Sequence, residues 1–484
     1  MASEHQEQQQ HQINNQDGGL TNEASNSVIV VMVPFPAQSH LNQLLQFSCL
    51  ISSYNNIPVH FACFANHNSQ VRNRAKDHLD PLFFSRIQFH DFPNPPPPNS
   101  DSPSDTPVFL KPSLQASVDL HQPVSALLHL LSSKSKRLVI IHDALVCSAV
   151  EDATSLPNAE AYAYQGGGAF TLFSYSWEFR GRPPLDVPEA EYIPDQLPTV
   201  EASVDSESTE FFKYQYRLMG SRDGYLYNTC RLIDGNFLDL IAKEANNKKV
   251  WGIGPLHLVK SISNSTDSNS SDKGKDILEW LDKQEKNSVL YISFGTTISM
   301  ADQKQIEELA FGLEQSGTKF IWVFREADKD DAYVQGTGAD LPQGFEDRVK
   351  GVGMVVRDFA PQIEIQKHSS TGGFMSHCGW NSVMESLSMG VPIAAWPTHT
   401  DQPRNAVLVT ELLKVGVNVR EWERKDELVS SSMVCNVVKK LMGSDEGDEM
   451  RKRAEKLGAA IRNSTAKGGV SCMEWDSFIA HITR

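Results

Sequence analysis

Residues 359–402 read FAPQIEIQKHSSTGGFMSHCGWNSVMESLSMGVPIAAWPTHTDQ. Gly373 to Met375 reads as a short buried strand whose chain ends at Ser376 and His377. Cys378-Gly379-Trp380 reads as a tight turn. The spacing then predicts a helix over Asn381 to Met389, with Asn381 or Ser382 as its N-cap. Gly390 and Pro392 mark its end, and Ile393 to Trp396 is the next strand. His377, Asn381 and Ser382 therefore cluster at a helix N-terminus. Free N–H groups and about half a positive charge make such a terminus a natural phosphate site. Glu385, one turn in, can accept hydrogen bonds from sugar hydroxyls. Asp401 and Gln402 follow the next strand and can point into the same place.

Working outward, the same alternation of β and α texture fills most of the chain. In the first half, strands are predicted at 28–35, 58–65, 86–92, 137–144 and 159–164, with helical spacing at 41–51 and 121–133. Residues 260–275 have linker composition. Alternation resumes with a helix at 277–282, strands at 289–294, 320–324 and 354–356, and a helix at 301–315. Alternation on both sides of a linker predicts two parallel-sheet α/β domains, with the ligand site in the cleft between them. The expected organisation is a disordered tail at 1–27, an N-terminal domain at 28–255, a linker at 256–275 and a second domain at 276–460. A last helix at 461–484 is expected to pack back on the N-terminal domain.

Composition narrows the function. The chain has 484 residues, enough for two or three domains at roughly 150 each. A net charge of −16 argues against general nucleic-acid or anionic-membrane binding, which needs clustered cations. The seven cysteines form no CxxC and suit neither a zinc ribbon nor a disulfide framework, so reduced thiols and a cytoplasmic location are expected. No early apolar run is long enough to span a bilayer. A monomer is expected. His377 and His399 fit no common zinc spacing, so no metal is expected.

A second constellation is PFPAQSHLNQLL at 34–45. His40 follows a buried strand and just precedes a helix, whose N-terminus disfavours imidazolium and helps keep the ring a neutral base. Asp143 ends another buried strand in IIHDAL, where it can orient that ring; the lesser reading is a helix N-cap. His142 should point to the other side of its strand.

The 359–402 block resembles the signature box of plant family-1 UDP-sugar glycosyltransferases. Ala360-Pro361-Gln362, the HCGWNS at 377–382, Glu385, Gly390, Pro392 and Asp401-Gln402 fall at that family's spacing, and YISFGT at 291–296 and WGIGPL at 251–256 look like its landmarks. The resemblance implies a GT-B fold of two Rossmann-like domains, with UDP-sugar on the second and the acceptor on the first. It implies that Phe359 stacks on uracil in place of the usual Trp, with Gln362 near the base or ribose and Glu385 on the ribose. His377, Asn381 and Ser382 would hold the diphosphate, faced by Gly295 and Thr296. Asp401 and Gln402 would hold the sugar, a terminal Gln being associated with glucose. Ala360 and Trp380 complete the implied donor site. The resemblance also implies that His40 and Asp143 form a catalytic dyad for inverting transfer, with UDP-glucose as co-substrate and no cofactor. PFPAQSHLNQLLQFS and YNTCRLIDG (227–235) look most like the zeatin O-glucosyltransferase group. The expected function is thus transfer of β-glucose to a hydroxyl of a small plant aglycone, a cytokinin such as zeatin or a flavonoid or phenolic.

Other readings fare less well. C-glucosyl transfer to a phenolic acceptor is the alternative within the family. A nucleotide-dependent dehydrogenase would need GxGxxG after the first strand, and a hydrolase GxSxG; neither occurs. A non-catalytic binder would not need both His40 and Asp143. Gly166 to Gly168 reads as a turn.

Overall fold

The computed structural model describes the chain except for residues 1–27, 55–56, 76–78, 96–110, 186–192, 195, 260–273, 296–301, 325–339 and 358–359. Two parallel sheets organise it. The first has seven strands: β1 (Val28–Val33), β2 (Val59–Phe64), β3 (Ile87–Phe92), β4 (Arg137–Asp143), β5 (Ala159–Gln165), β6 (Gly224–Tyr227) and β7 (Lys249–Gly252). They lie in the order β3-β2-β1-β4-β5-β6-β7. The second has six: β8 (Val289–Ser293), β9 (Lys319–Val323), β10 (Gly353–Val356), β11 (Thr371–Ser376), β12 (Ile393–Ala395) and β13 (Gly416–Asn418), in the order β10-β9-β8-β11-β12-β13. The central strands are continuous apolar runs because helices cover both faces, as parallel sheets require; Val30, Val31, Met32 and Val33 are fully buried.

β6, β7 and β13 were not among the expected strands. At three or four residues each they are too short to carry a period.

Register places the site. β1 and β4 pair so that Val33 lies opposite His142. Asp143 therefore ends its strand beside the segment that leads from β1 to His40. In the second sheet Ser376 lies opposite both Ser293 and Ala395. The loops bearing Gly295, His377 and Trp396 thus leave the sheet side by side at its carboxyl edge.

The helix Asp445–Ser464 places Ala454 and Ile461 in a hydrophobic cluster shared by both halves. The helix Val470–Ile482 instead returns to the first half. Its Trp475, Phe478, Ile479 and Ile482 are buried in the core that also holds β1 and β4. Trp475 donates its indole N–H to the Ile253 carbonyl at 2.7 Å, and Arg137 donates to the Ile482 carbonyl at 2.9 Å. Among the described residues no helix is long and apolar enough to cross a membrane.

Candidate active site

The helix expected from Leu41 begins earlier, at Gln38, so His40 lies within its first turn. His40 Nδ1 is 2.7 Å from Asp143 Oδ2, and the ring packs edge-on to Phe35. A carboxylate accepts, so Nδ1 carries the proton and the Nε2 lone pair is left to act as a base. The His40 side chain is 27% exposed and that of Asp143 only 1%, so the base reaches the cleft while its partner does not. Asp143 Oδ1 accepts from the Leu145 N–H at 2.9 Å and caps the 3₁₀ segment Ala144–Ser155. Its two oxygens thus serve both readings of the residue. Burial opposes charging of His40, but the field and hydrogen bond of Asp143 outweigh it and raise the ring's pKa. The carboxylate, more than the helix terminus, governs this ring. His142 is fully buried and hydrogen-bonded through Nδ1 to the Asp143 carbonyl, clear of the cleft.

On the facing half, the helix after β11 starts at Trp380, with Gly379 at the cap and no side-chain cap. This corrects the expected cap at Asn381 or Ser382. Both residues lie in the first turn, so neither side chain is committed to capping. Gly295 adopts φ +85°, and a Cβ there would come within 2.9 Å of His377 Nε2. A side chain at Gly379 would meet the same ring at 2.5 Å. Two glycines therefore seat His377, which burial, above all, holds neutral with a pKa of about 4. Among the described residues its Nδ1 has no hydrogen-bond partner. Gln362 Nε2 donates to Glu385 Oε2 at 2.6 Å and to Ser382 Oγ at 3.2 Å, joining three of the expected donor residues. Burial raises the Glu385 pKa to about 7.

At three expected donor positions the side chain is engaged within the protein. Ala360 is buried in a hydrophobic cluster that joins both halves, Phe170 and Phe237 of the first included. Trp380 lies in the interface: its indole N–H donates to the Asn228 carbonyl at 2.7 Å, and its ring sits where a Cβ on Gly168 would be, 2.7 Å away. Gln402 is 3% exposed, and its amide oxygen accepts from the Thr398 N–H, the Thr398 hydroxyl and the His399 N–H. That oxygen holds the turn before Asp401 rather than facing the cleft. Asp401 accepts from Asn405 at 2.8 Å and from Thr400 at 3.1 Å, and burial raises its pKa. Beside it the Tyr175 hydroxyl donates to the Thr400 carbonyl at 2.5 Å, so the two halves approach here. Thr296 and Phe359 lie outside the described residues. No group of three His, Cys, Asp or Glu able to hold a metal occurs among the described residues.

Two features escaped the sequence. Gly166 and Gly168 are close-approach glycines: a Cβ on Gly166 would lie 2.8 Å from Gln43 Oε1 and 3.5 Å from His40 Nδ1. Gln43 itself is 5% exposed and bonds to Tyr164, Gly166 and Asn381. A polar residue on the apolar face of the His40 helix was the available signal.

The chain is similar to known proteins along nearly its whole length. Residues 26–258 match the glycosyltransferase N-terminal domain, and residues 248–447 match the UDP-glucoronosyl and UDP-glucosyl transferase family. The zeatin O-glucosyltransferase of Phaseolus lunatus is 47% identical over 94% of this chain and 97% of its own. The zeatin O-xylosyltransferase of Phaseolus vulgaris is 46% identical over 94% and 98%. A Phytolacca americana glycosyltransferase solved with UDP-2-fluoro-glucose and pterostilbene superposes with a TM-score of 0.76 at 26% identity, covering 95% of this chain and all of that one. With relatives this similar across both halves, and two parallel sheets facing a cleft, the chain belongs to the UDP-sugar glycosyltransferases of plant family 1 and has their GT-B fold.

Proposed function

We propose that the enzyme is an inverting, UDP-glucose-dependent O-glucosyltransferase whose acceptor is a small hydroxylated plant aglycone, first of all a cytokinin of the zeatin type. The observation that carries the chemistry is the 2.7 Å pairing of the part-exposed His40 with the buried Asp143. His40 Nε2 takes the proton of the acceptor hydroxyl. The oxygen attacks the anomeric carbon, and the bond from that carbon to the β-phosphate oxygen breaks, its electron pair leaving with UDP. Attack opposite the leaving group inverts the centre and gives a β-glucoside. Asp143 stabilises the imidazolium that forms, and base catalysis of this kind supplies about 10²–10⁴-fold.

The diphosphate is assigned to neutral donors: Asn381, Ser382, His377, the Gly295 loop with Thr296, and the first-turn N–H groups of the helix. Glu385, steadied by Gln362, takes the ribose hydroxyls. Phe359 takes the uracil and Asp401 the sugar. Trp380, Ala360 and Gln402 act through packing and loop geometry. The seven described cysteines are all free, in keeping with a cytoplasmic setting, and we take the enzyme as a monomer.

The acceptor assignment leans on the two zeatin-directed relatives. Purified enzyme would be given UDP-glucose or UDP-xylose with trans-zeatin, cis-zeatin, flavonoids and simple phenolics, and products weighed by mass spectrometry. One hexose on zeatin, released by β-glucosidase, is the expected result. Gain only on phenolics discards the cytokinin reading, a pentose discards glucose, and a hexose resistant to acid and glucosidase means C-transfer. No product from any pair, with UDP still bound, overturns the enzymatic reading.

A further inference from the structure

The proposed chemistry makes no use of Gln43, although its amide lies between the two halves of the site. Oε1 accepts from the Tyr164 hydroxyl at 2.7 Å, while Nε2 donates to the Gly166 carbonyl at 3.1 Å and to Asn381 Oδ1. The partners allow one orientation of this amide. The Gly166 carbonyl can only accept, so the atom facing it is the NH₂. The same NH₂ faces Asn381, which must then present its oxygen. The Gln43 oxygen is left for Tyr164, whose phenol burial keeps protonated and therefore able to donate. A side chain at Gly166 would collide with Gln43 Oε1, so the bare glycine is part of the arrangement.

With its oxygen held by Gln43, Asn381 has its own NH₂ turned away from that contact. Among the described residues this NH₂ has no protein partner. It belongs to the first turn of the helix Trp380–Met389, where N–H groups are free. We propose that Gln43 is a positioning residue for the donor: it fixes the Asn381 amide so that its N–H groups face the diphosphate, and thereby ties the His40 helix to the donor helix. This rests on the reading of Asn381 as a diphosphate ligand. An Asn free to rotate presents either its oxygen or its NH₂, and an oxygen facing a phosphate is repelled. The order Tyr164, Gly166, Gln43, Asn381 removes that choice before the donor arrives. It also makes the acceptor half a contributor to donor affinity.

The test is a double-mutant cycle on the full-length enzyme. UDP affinity is measured by calorimetry, and the donor KM and kcat are measured with UDP-glucose, for Gln43→Glu, Gln43→Leu, Asn381→Ala and the two double variants. Melting temperatures are followed in parallel. Glu keeps the size but cannot donate, so it should draw the Asn381 NH₂ to itself. The expected result is about tenfold weaker UDP binding for Gln43→Glu, the scale of one lost hydrogen bond with its partner misplaced. In the Asn381→Ala background the same change should cost less than about twofold, because contacting residues are not additive. Gln43→Leu leaves the Asn381 amide unheld, should fall between, and covers the case in which a buried Glu prevents folding. Equal losses in both backgrounds mean a purely structural role and overturn the proposal. Unchanged affinity in Gln43→Glu and Gln43→Leu, with a clear loss in Asn381→Ala, overturns it while sparing the donor reading. Unchanged affinity in Asn381→Ala overturns both.

Discussion

His40 and His377 belong to opposite halves of one cleft, and each follows a parallel strand of its own sheet. Their protonation is tuned in opposite directions. Both lose solvent, which disfavours imidazolium. His40 has a carboxylate at 2.7 Å and its pKa is raised. His377 has glycines around it and, with His399 adding to the effect of burial, falls to about 4. On the proposed mechanism the first half takes and stabilises a proton, and the second presents neutral donors to an anion. A chain of net charge −16 can hold a diphosphate this way without a cluster of cations.

The sharpest attempt to break this division is His40→Ala. It should lower kcat by about 10²–10⁴-fold and leave UDP affinity by calorimetry unchanged; a large loss of UDP binding would mean that the halves are not so divided. Asp143→Asn comes next, lowering kcat by up to about 10⁴-fold, since the amide can hold the ring in the wrong tautomer. The sign of its pH effect is defined. The base works when neutral, and Asp143 raises its pKa, so removing the carboxylate should move the acidic limb of the kcat–pH profile to lower pH. A limb that stays in place would assign it to another group.

Glu385→Gln should raise the donor Kd about tenfold at pH 8, as expected for a hydrogen bond to a charged group. The free carboxyl titrates near 7, and it accepts ribose hydroxyls best when ionised. Wild-type donor affinity should therefore rise with pH through about 7, weaken below it, and lose this dependence in the Gln variant. A flat wild-type profile would remove Glu385 from the ribose. The last effect falls on stability rather than on activity, at the contact between the halves. Gly168→Ala puts a methyl against the Trp380 ring and should cost about 1–3 kcal/mol in urea unfolding, with partial recovery in Gly168→Ala/Trp380→Phe. No change would mean that the interface yields freely.

Much of this was legible in the sequence because strand, turn and helix signals coincide at 371–390. Strand ends put His40 and Asp143 within reach of each other before any distance was known. The N-cap was misplaced because Gly379 takes it without a side chain, while Asn381 and Ser382 look like better caps by type. The internal bonds of Gln402 and Trp380 do not follow from the sequence, because spacing says nothing of direction. In the structure, backbone groups of the 398–399 turn and the Asn228 carbonyl claim them first. Gln43 was passed over because its value comes from a partner 338 positions away, which no local pattern encodes.

The helix Val470–Ile482 bears on how such enzymes can be recombined. A chimera cut once, between β7 and β8, would give the first sheet of one parent the last helix of the other. Trp475 and Phe478 would then meet a foreign Trp251 and Phe47, with which Phe478 now packs at ring-centroid distances of 5.1 and 5.9 Å. The half that carries His40 is a discontinuous module, and a working exchange must move its final helix together with its first seven strands.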